Sequence, residues 1–450
     1  MKKTIKLFLI LVAFGWTAMN AQSHDGHQHS SPASEEVDPH AGHDHGPGEQ
    51  HEMPAEGVSH DANQDAHAQG DHHEEFSADA TAFHHISDLN VYSIGPWNFP
   101  LPCILYAPTH GWSVFSSSKF DIDDAHHGTG HKAVDGYVLY KGRVQRVADP
   151  SFPKGELAIG EIHTEEVTDD KGVKKERQFV EYNGQSFALD KSSTADGGLF
   201  GGGVTSFFDF SITKNVMAMF IVFALLAWLF ISMARAYKAA PGTAPKGAQK
   251  LFEPLISFIQ DEVAKPFIGP KYVNYMPLLL SIFFFILGLN LFGQIPFFGG
   301  ANVTGNLGFT MVLALIVFVV VNINGNKHYW QHIFNMPGIP GWIKVLITPI
   351  EILSVFIKPI TLMLRLFANI TAGHIVILIF ISLIFIFGKA GANPGAAWGA
   401  SIASVLLALF ISAIELLVAF IQAYVFTLLT ASYIGAATEE HHHAEEADHH

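Results

Sequence analysis

Three charged residues stand seven apart in an otherwise apolar stretch: Glu351, Lys358 and Arg365, in PIEILSVFIKPITLMLRLFANITAGHIVILIF, residues 349–380. An arginine at mid-membrane costs ~2.5 to 3.5 kcal/mol on insertion scales, so it needs a reason to be there. Arg365 has roughly twenty residues of its segment on either side, too many for its side chain to reach an interface. Lys358 precedes Pro359, which lacks a backbone donor and should bend the helix, so Lys358 can also be read as reaching the cytoplasmic interface. Asn369 lies one turn beyond Arg365 on nearly the same face, whereas His374, nine residues on, points away from it. On the last apolar segment Glu415 and Gln422 are seven apart and share a face. Each of these could be a satisfied buried polar group. Together, on two helices whose only acids are Glu351 and Glu415, they read as a water-accessible path flanking one fixed cation.

The elements that must position these residues are membrane helices. Residues 215–234 form a span of bilayer length, and Arg235, Lys238, Lys246 and Lys250 behind it put its far end in the cytoplasm. KLFEPLISFIQDEVAKP, from Lys250, alternates at helical spacing as an interfacial amphipathic helix does. No Asp, Glu, Lys or Arg occurs between Val273 and Asn326, where two spans fit, 275–296 and 307–324, joined outside by FFGGANVTGN. Lys327, His328 and Lys344 mark the return to the cytoplasm. Two more apolar segments, 345–388 and 397–436, exceed one upright crossing and should be tilted or partly horizontal. The expected fold is therefore an all-α polytopic membrane protein of about five crossings, carrying a small β-rich periplasmic insert and a disordered His-rich tail. The amino-terminal region is then periplasmic and the carboxyl terminus cytoplasmic. No internal repeat is evident, which argues against a transporter built from inverted halves.

Composition agrees with this segregation. The 450 residues are 49% hydrophobic and 15% charged with a net charge of -15, and 18 of the 26 histidines precede residue 165. Residues 1–21 read as a secretory signal, with Lys2, Lys3 and Lys6 ahead of a short apolar core; an uncleaved first membrane helix is the other reading. Residues 22–83 hold alternating His, Asp, Glu, Gly and Pro and should be disordered. Clustered imidazole and carboxylate can bind Zn(II), Cu(II) or Ni(II), but a solvated tail is the default. Residues 84–205 read as a β-rich insert ending in a Gly-rich linker, since DGYVLYKGRVQRV, LAIGEIHTEEV and KKERQFVEYNGQSFAL are rich in β-branched and aromatic residues. His126, His127 and His131 in it read as solvated turn histidines. The membrane domain covers 206–438, and 439–450 is a His/Glu-rich cytoplasmic tail. Cys103 is the single cysteine, so no intramolecular disulfide forms.

LMLRLFANITAGHIVILI followed by AIELLVAFIQAYVFTLLTASYI resembles the pattern of subunit a of the F-type ATP synthase, over residues 207–440, and HHISDLN at 84–90 is similar to the family's amino-terminal start. The resemblance implies a stator subunit beside a ring of c subunits, each with one buried carboxyl group, together with subunit b of the peripheral stalk, the rest of the F0F1 complex and membrane lipid. It implies two offset half-channels, each open to one side, in a bacterial inner membrane. Arg365 matches the essential arginine that meets the ring carboxylate and separates the half-channels, a role suited to a guanidinium that stays ionised. Gln422 matches the last-helix glutamine facing it, Asn369 the asparagine four residues on, and Glu351 and Lys358 the preceding polar residues, with Glu351 in the cytoplasmic path. His374 and Glu415 match an acid and histidine pair that some members place the other way round. In TGNLGFT, where relatives often carry an Asp and then an Asn, Asn306 and Gly308 stand instead. Asn290, Thr304 and Asn306 are the candidates for the outer half-channel.

A rival reading, a multi-pass zinc transporter with a metal-buffering tail, needs clustered His and Asp ligands inside the spans, where His374 is the single histidine. A metal-buffering protein with a membrane anchor needs one span rather than five. No nucleotide-binding loop is present, so ATP chemistry would belong to partner subunits. Nothing in the sequence calls for a cofactor, a resident metal or nucleic acid. Whether H+ or Na+ is carried is left open by this chain.

Overall fold

The computed structural model describes residues 87–439 except 95–96, 123–127, 169–173, 194–203, 240, 243, 296–299, 337–338 and 389–392. The expected signal, the amino-terminal tail, His126 and His127, most of the Gly-rich linker and residues 440–450 lie outside the described residues.

The region before the first long helix holds twelve short strands among the described residues. β1 (Val91–Ile94) and β2 (Trp97–Pro100) form a hairpin, and β3 (Pro102–Ala107), β4 (Gly111–Ser116) and β12 (Phe208–Asp209) a three-stranded sheet in the order β12-β3-β4. A seven-stranded sheet runs β8-β5-β6-β7-β11-β10-β9, where β5 to β11 are Lys132–Val134, Tyr137–Tyr140, Arg143–Val147, Glu156–Ala158, Ile162–Thr168, Lys174–Tyr182 and Gln185–Asp190. Two-residue turns set its register. Asp135-Gly136 and Asn183-Gly184 both take positive φ at both positions, the geometry of a type I′ hairpin. β6 is buried on both faces: Tyr137 and Leu139 pack on Cys103, Leu105, Phe120 and Phe207, while Val138 packs on Phe152, Val180 and Leu189. β12 extends this region to Asp209, so residues 206–209 join the sheet before the first membrane helix begins.

The segment before β1 and the single crossing from β12 into the first helix are tied together. α1 (Lys214–Ala239) starts under Asp88, whose carboxylate accepts from Thr213 Oγ1 at 2.8 Å and from the Asn215 N–H at 3.0 Å. That carboxylate covers backbone donors that a helix start leaves without an internal partner. The Lys214 N–H donates to Leu89 O at 2.8 Å, and Asn90 Nδ2 to Asp209 Oδ2 at 3.2 Å. Burial pushes the carboxyls of Asp88 and Asp209 above their ordinary range.

The helical part follows. α2 (Ala248–Phe258) passes through a π-helical turn, Ile259–Ala264, into α3 (Lys265–Ile268) and then α4 (Tyr272–Gln294). α5 (Leu307–Ile323) and α6 (Lys327–Phe334) are bent 104° apart. The two longest helices are α7 (Gly341–Phe387) and α8 (Pro394–Thr438). Among the described residues, length and composition make four helical stretches fit to cross a membrane, or five with the bent pair. α7 runs unbroken through Pro349 and Pro359. α4 is the hub: Leu279, Ile282, Phe283, Phe285 and Ile286 are nearly inaccessible. A Cβ on Gly288 would come within 3.0 Å of Val222, which shows how closely α1 lies against α4. α7 is buried little, with Leu353, Phe356, Ile357, Ile360 and Leu364 on open surface.

Candidate functional site

Two groups of polar side chains lie at different levels along α7. The first joins α4, the segment before α5, α7 and α8. His374 Nδ1 is hydrogen-bonded to the Glu415 carboxylate, and their side chains keep only 13% and 5% of their accessible surface. Gly373 makes this approach possible: a Cβ there would stand 3.1 Å from Glu415 Oε1 and 3.2 Å from its Cδ. Gly293 lies beside the other ring nitrogen, and its missing Cβ leaves room for the Ala301 carbonyl. A Cβ on it would meet Ala301 O at 2.6 Å and His374 Nε2 at 3.9 Å, so the imidazole presents one nitrogen to the acid and the other toward the end of α4. An imidazole held between two such environments can take a proton on one nitrogen and release it from the other.

The same layer holds a buried chain of neutral groups. Thr304 Oγ1 donates to Asn290 Oδ1 at 2.6 Å, and Asn290 Nδ2 donates to Ala419 O at 3.2 Å. Thr371 Oγ1 donates to Gly305 O at 3.3 Å, tying α7 to the segment that carries Thr304. Asn306 has a structural part in this layer. Its Oδ1 accepts from the N–H groups of Gly308 and Phe309, at 2.9 and 3.2 Å, and so caps α5. Gln294, beside Gly293, has a buried Nε2 with no hydrogen-bond partner among the described residues. Sequence reasoning missed Gly373, Thr371 and Gln294. A small residue next to a titratable one was the available signal for Gly373.

The second group lies toward the other end of α5. Lys358 Nζ stands 5.5 Å from the ring centroid of Tyr433 on α8, a cation-π distance. Asn322, Tyr329, Lys358 and Tyr433 line a narrow void between α5, α6, α7 and α8. Tyr329 donates its hydroxyl to Asn322 Oδ1 at 3.4 Å and lies within the field of Glu351, which is half-buried. Asn326 fixes this end by donating from its N–H to Ala437 O at 2.8 Å and from Nδ2 to Thr438 O at 3.0 Å. The two tyrosines were not singled out in the sequence.

Arg365 lies between the groups. It is half-buried, its charge reaches Tyr433, and no described carboxylate lies within salt-bridge distance of it. Asn369, one turn on, is exposed. Gln422 is buried on the α8 face that also carries Glu415, as their seven-residue spacing requires. Among the described residues no group of three His, Cys, Asp or Glu side chains could hold a metal ion, so the zinc-transporter reading finds no site there.

Long apolar helices that bury titratable and amide side chains at two levels define a multi-pass membrane protein with an interrupted polar path. A family model described as ATP synthase A chain matches residues 216–435, and one described only as a domain of unknown function matches residues 81–169. The chain is 41% identical over 249 residues to ATP synthase subunit a of Chloroherpeton thalassium, covering 54% of this chain and 71% of that one. Subunit a of Chlorobium phaeobacteroides is likewise 41% identical, over 54% and 68% of the two chains. That of Myxococcus xanthus is 39% identical, over 54% and 77%. The chain belongs to the ATP synthase subunit a family.

Proposed function

We propose that this subunit works as the stator of the F0 motor and carries ions by two separate polar paths along α7. Protons enter through the outer group and pass between His374 and Glu415 to a carboxyl group on a neighbouring ring of c subunits. They leave through the group around Lys358, Tyr329, Tyr433 and Glu351. Arg365 meets the ring carboxylate between the two and keeps them apart. Subunit b and the remaining F0F1 subunits hold the stator in place.

The observation that carries this reading is the isolation of Arg365. A guanidinium without a carboxylate among the described residues, on a helix whose neighbouring apolar side chains are open, suits an acid supplied by another chain. A membrane potential of 100 mV is worth ~2.3 kcal/mol per charge, which a continuous path would dissipate. The basic residues behind α1, Arg235, Lys238, Lys246 and Lys250, support a periplasmic exported region and a cytoplasmic carboxyl terminus. Reporter fusions after Ala244 and Ala437 should both report the cytoplasm, and a periplasmic signal from either would overturn that orientation.

The decisive experiment replaces Arg365 with Ala in the whole complex. ATP synthesis driven by a proton gradient should be lost while the c ring still purifies with this chain. Coupled synthesis near the wild-type rate would refute the mechanism.

A further inference from the structure

The sheet β12-β3-β4 is apolar on both faces. Cys103, Leu105 and Ala107 of β3 point into the core with no accessible surface. The alternate positions, Ile104 and Tyr106, lie opposite Val114 and Trp112 of β4, and Tyr106 also lies opposite Phe208 of β12. Phe210 completes the set, with its ring 5.5 Å from that of Trp112, which is itself 5.0 Å from Tyr106. The outward face thus consists of Ile104, Tyr106, Trp112, Val114, Phe208 and Phe210. Trp112 and Val114 keep 62% and 68% of their surface exposed. An antiparallel sheet with one face in water alternates apolar with polar residues, and this one does not.

We infer that this face is a membrane-binding surface, seated at the headgroup and acyl boundary of the outer leaflet beside α1. Three observations select lipid as the occupant. The face is covalently continuous with a membrane helix: three residues separate Phe210 from Lys214, where α1 begins, and the Ile212 N–H donates to Pro102 O at the base of β3. α1 has 26 residues. At 1.5 Å per residue that is about 39 Å, beyond the ~30 Å hydrocarbon layer, so its end can lie at headgroup level with the base of the sheet. Trp, Tyr and Phe dominate the face and no ionisable side chain but the Tyr106 phenol is on it, the composition that favours a bilayer interface. Finally, the junction is stiff. Asp88 binds Thr213 and Asn215, and Asn90 binds Asp209, so the sheet holds one attitude to α1 rather than swinging on a linker.

The inference rests on the chain being a membrane subunit and is tested separately from the ion path. Cys103 is the only native cysteine and is fully buried, so a nitroxide reports one introduced site. Val114→Cys, Trp112→Cys and, as an aqueous reference, Lys174→Cys are labelled in the complete complex in phospholipid vesicles. Relaxation by dissolved oxygen is compared with relaxation by a water-soluble nickel chelate. Labels at 114 and 112 should be relaxed several-fold more by oxygen than by nickel, with the order reversed at 174. Agreement of the two sites keeps the reading independent of the folding of either variant. Nickel access at 114 and 112 equal to that at 174 would place the face in water. Protection from both agents would show that protein, another subunit or a second copy, covers it. Either result overturns the inference, whatever the Arg365 variant does.

Discussion

Gly373→Ala sets two physical effects against each other. In an exposed helix interior, Gly to Ala adds ~0.5 to 1 kcal/mol of stability by restricting the unfolded chain. Here the new Cβ would stand 3.1 Å from Glu415 Oε1, 3.2 Å from Cδ and 3.3 Å from Cγ, closer than these atoms accept. The carboxylate is nearly inaccessible and pinned by His374, so it can yield only by leaving that contact. Overpacking of this kind costs ~1 to 3 kcal/mol, and packing should win by ~0.5 to 2 kcal/mol. If that falls on the proton hand-over, a tenfold change per ~1.4 kcal/mol makes transfer about 2- to 30-fold slower. The assay is ATP-driven acidification of inverted vesicles, followed with a pH-sensitive dye and normalised to assembled complex. Gly399→Ala on α8 is the control, because a Cβ there meets nothing within 4 Å. It should pump at the wild-type rate. Wild-type pumping by Gly373→Ala at normal assembly would show that the close approach of α7 to Glu415 is not needed.

Two further outcomes follow from the same layer. Exchanging the pair, His374→Glu with Glu415→His, should retain more pumping in the vesicle assay than either single Ala variant, since a titratable hand-over survives; an exchange as inactive as the singles would mean that the two act apart. Gln294→Leu should raise the thermal stability of the purified complex, because a buried unpaired amide costs ~1 to 3 kcal/mol. It should also slow pumping, the amide being kept as a water contact at the His374 Nε2 side, and unchanged pumping would assign Gln294 no part in the path.

Much of this architecture could be read from the chain because membrane burial leaves strong traces. A charge inside an apolar run is expensive, so Arg365 and Glu415 announced themselves, and the seven-residue step from Glu415 to Gln422 fixed their common face. Contacts made by small or neutral residues leave no such trace. Gly373 matters only because another helix comes close, Gly293 because the Ala301 carbonyl does, and Thr371 pairs with a carbonyl 66 positions away. The cap that Asn306 makes left no trace either, because an amide has the same composition whether it lines water or caps a helix. The tyrosines at 329 and 433 read as apolar bulk until their partners on other helices are known. Pro359 removes one backbone bond, yet it does not end the helix, which runs for 47 residues in all.

The spacing along α7 also explains why the path cannot close within this chain. Arg365 and His374 are nine residues apart, about 13 Å along the axis, and Arg365 and Lys358 seven apart, about 10 Å. Proton transfer needs donor and acceptor about 3 Å apart or joined by water. Between Arg365 and His374, Leu366 and Ile370 are buried, Thr371 is bonded to Gly305 O, and Asn369 faces outward. Among the described residues of α7 no titratable side chain fills the gap, and the fixed positive charge in it repels a hydrated proton. Under the proposed mechanism the carrier that crosses the interval comes from outside the chain and brings a carboxyl group past Arg365. Continuity of the path then depends on the motion of a partner, and a subunit built this way couples transport to movement because its own polar groups stop short of one another.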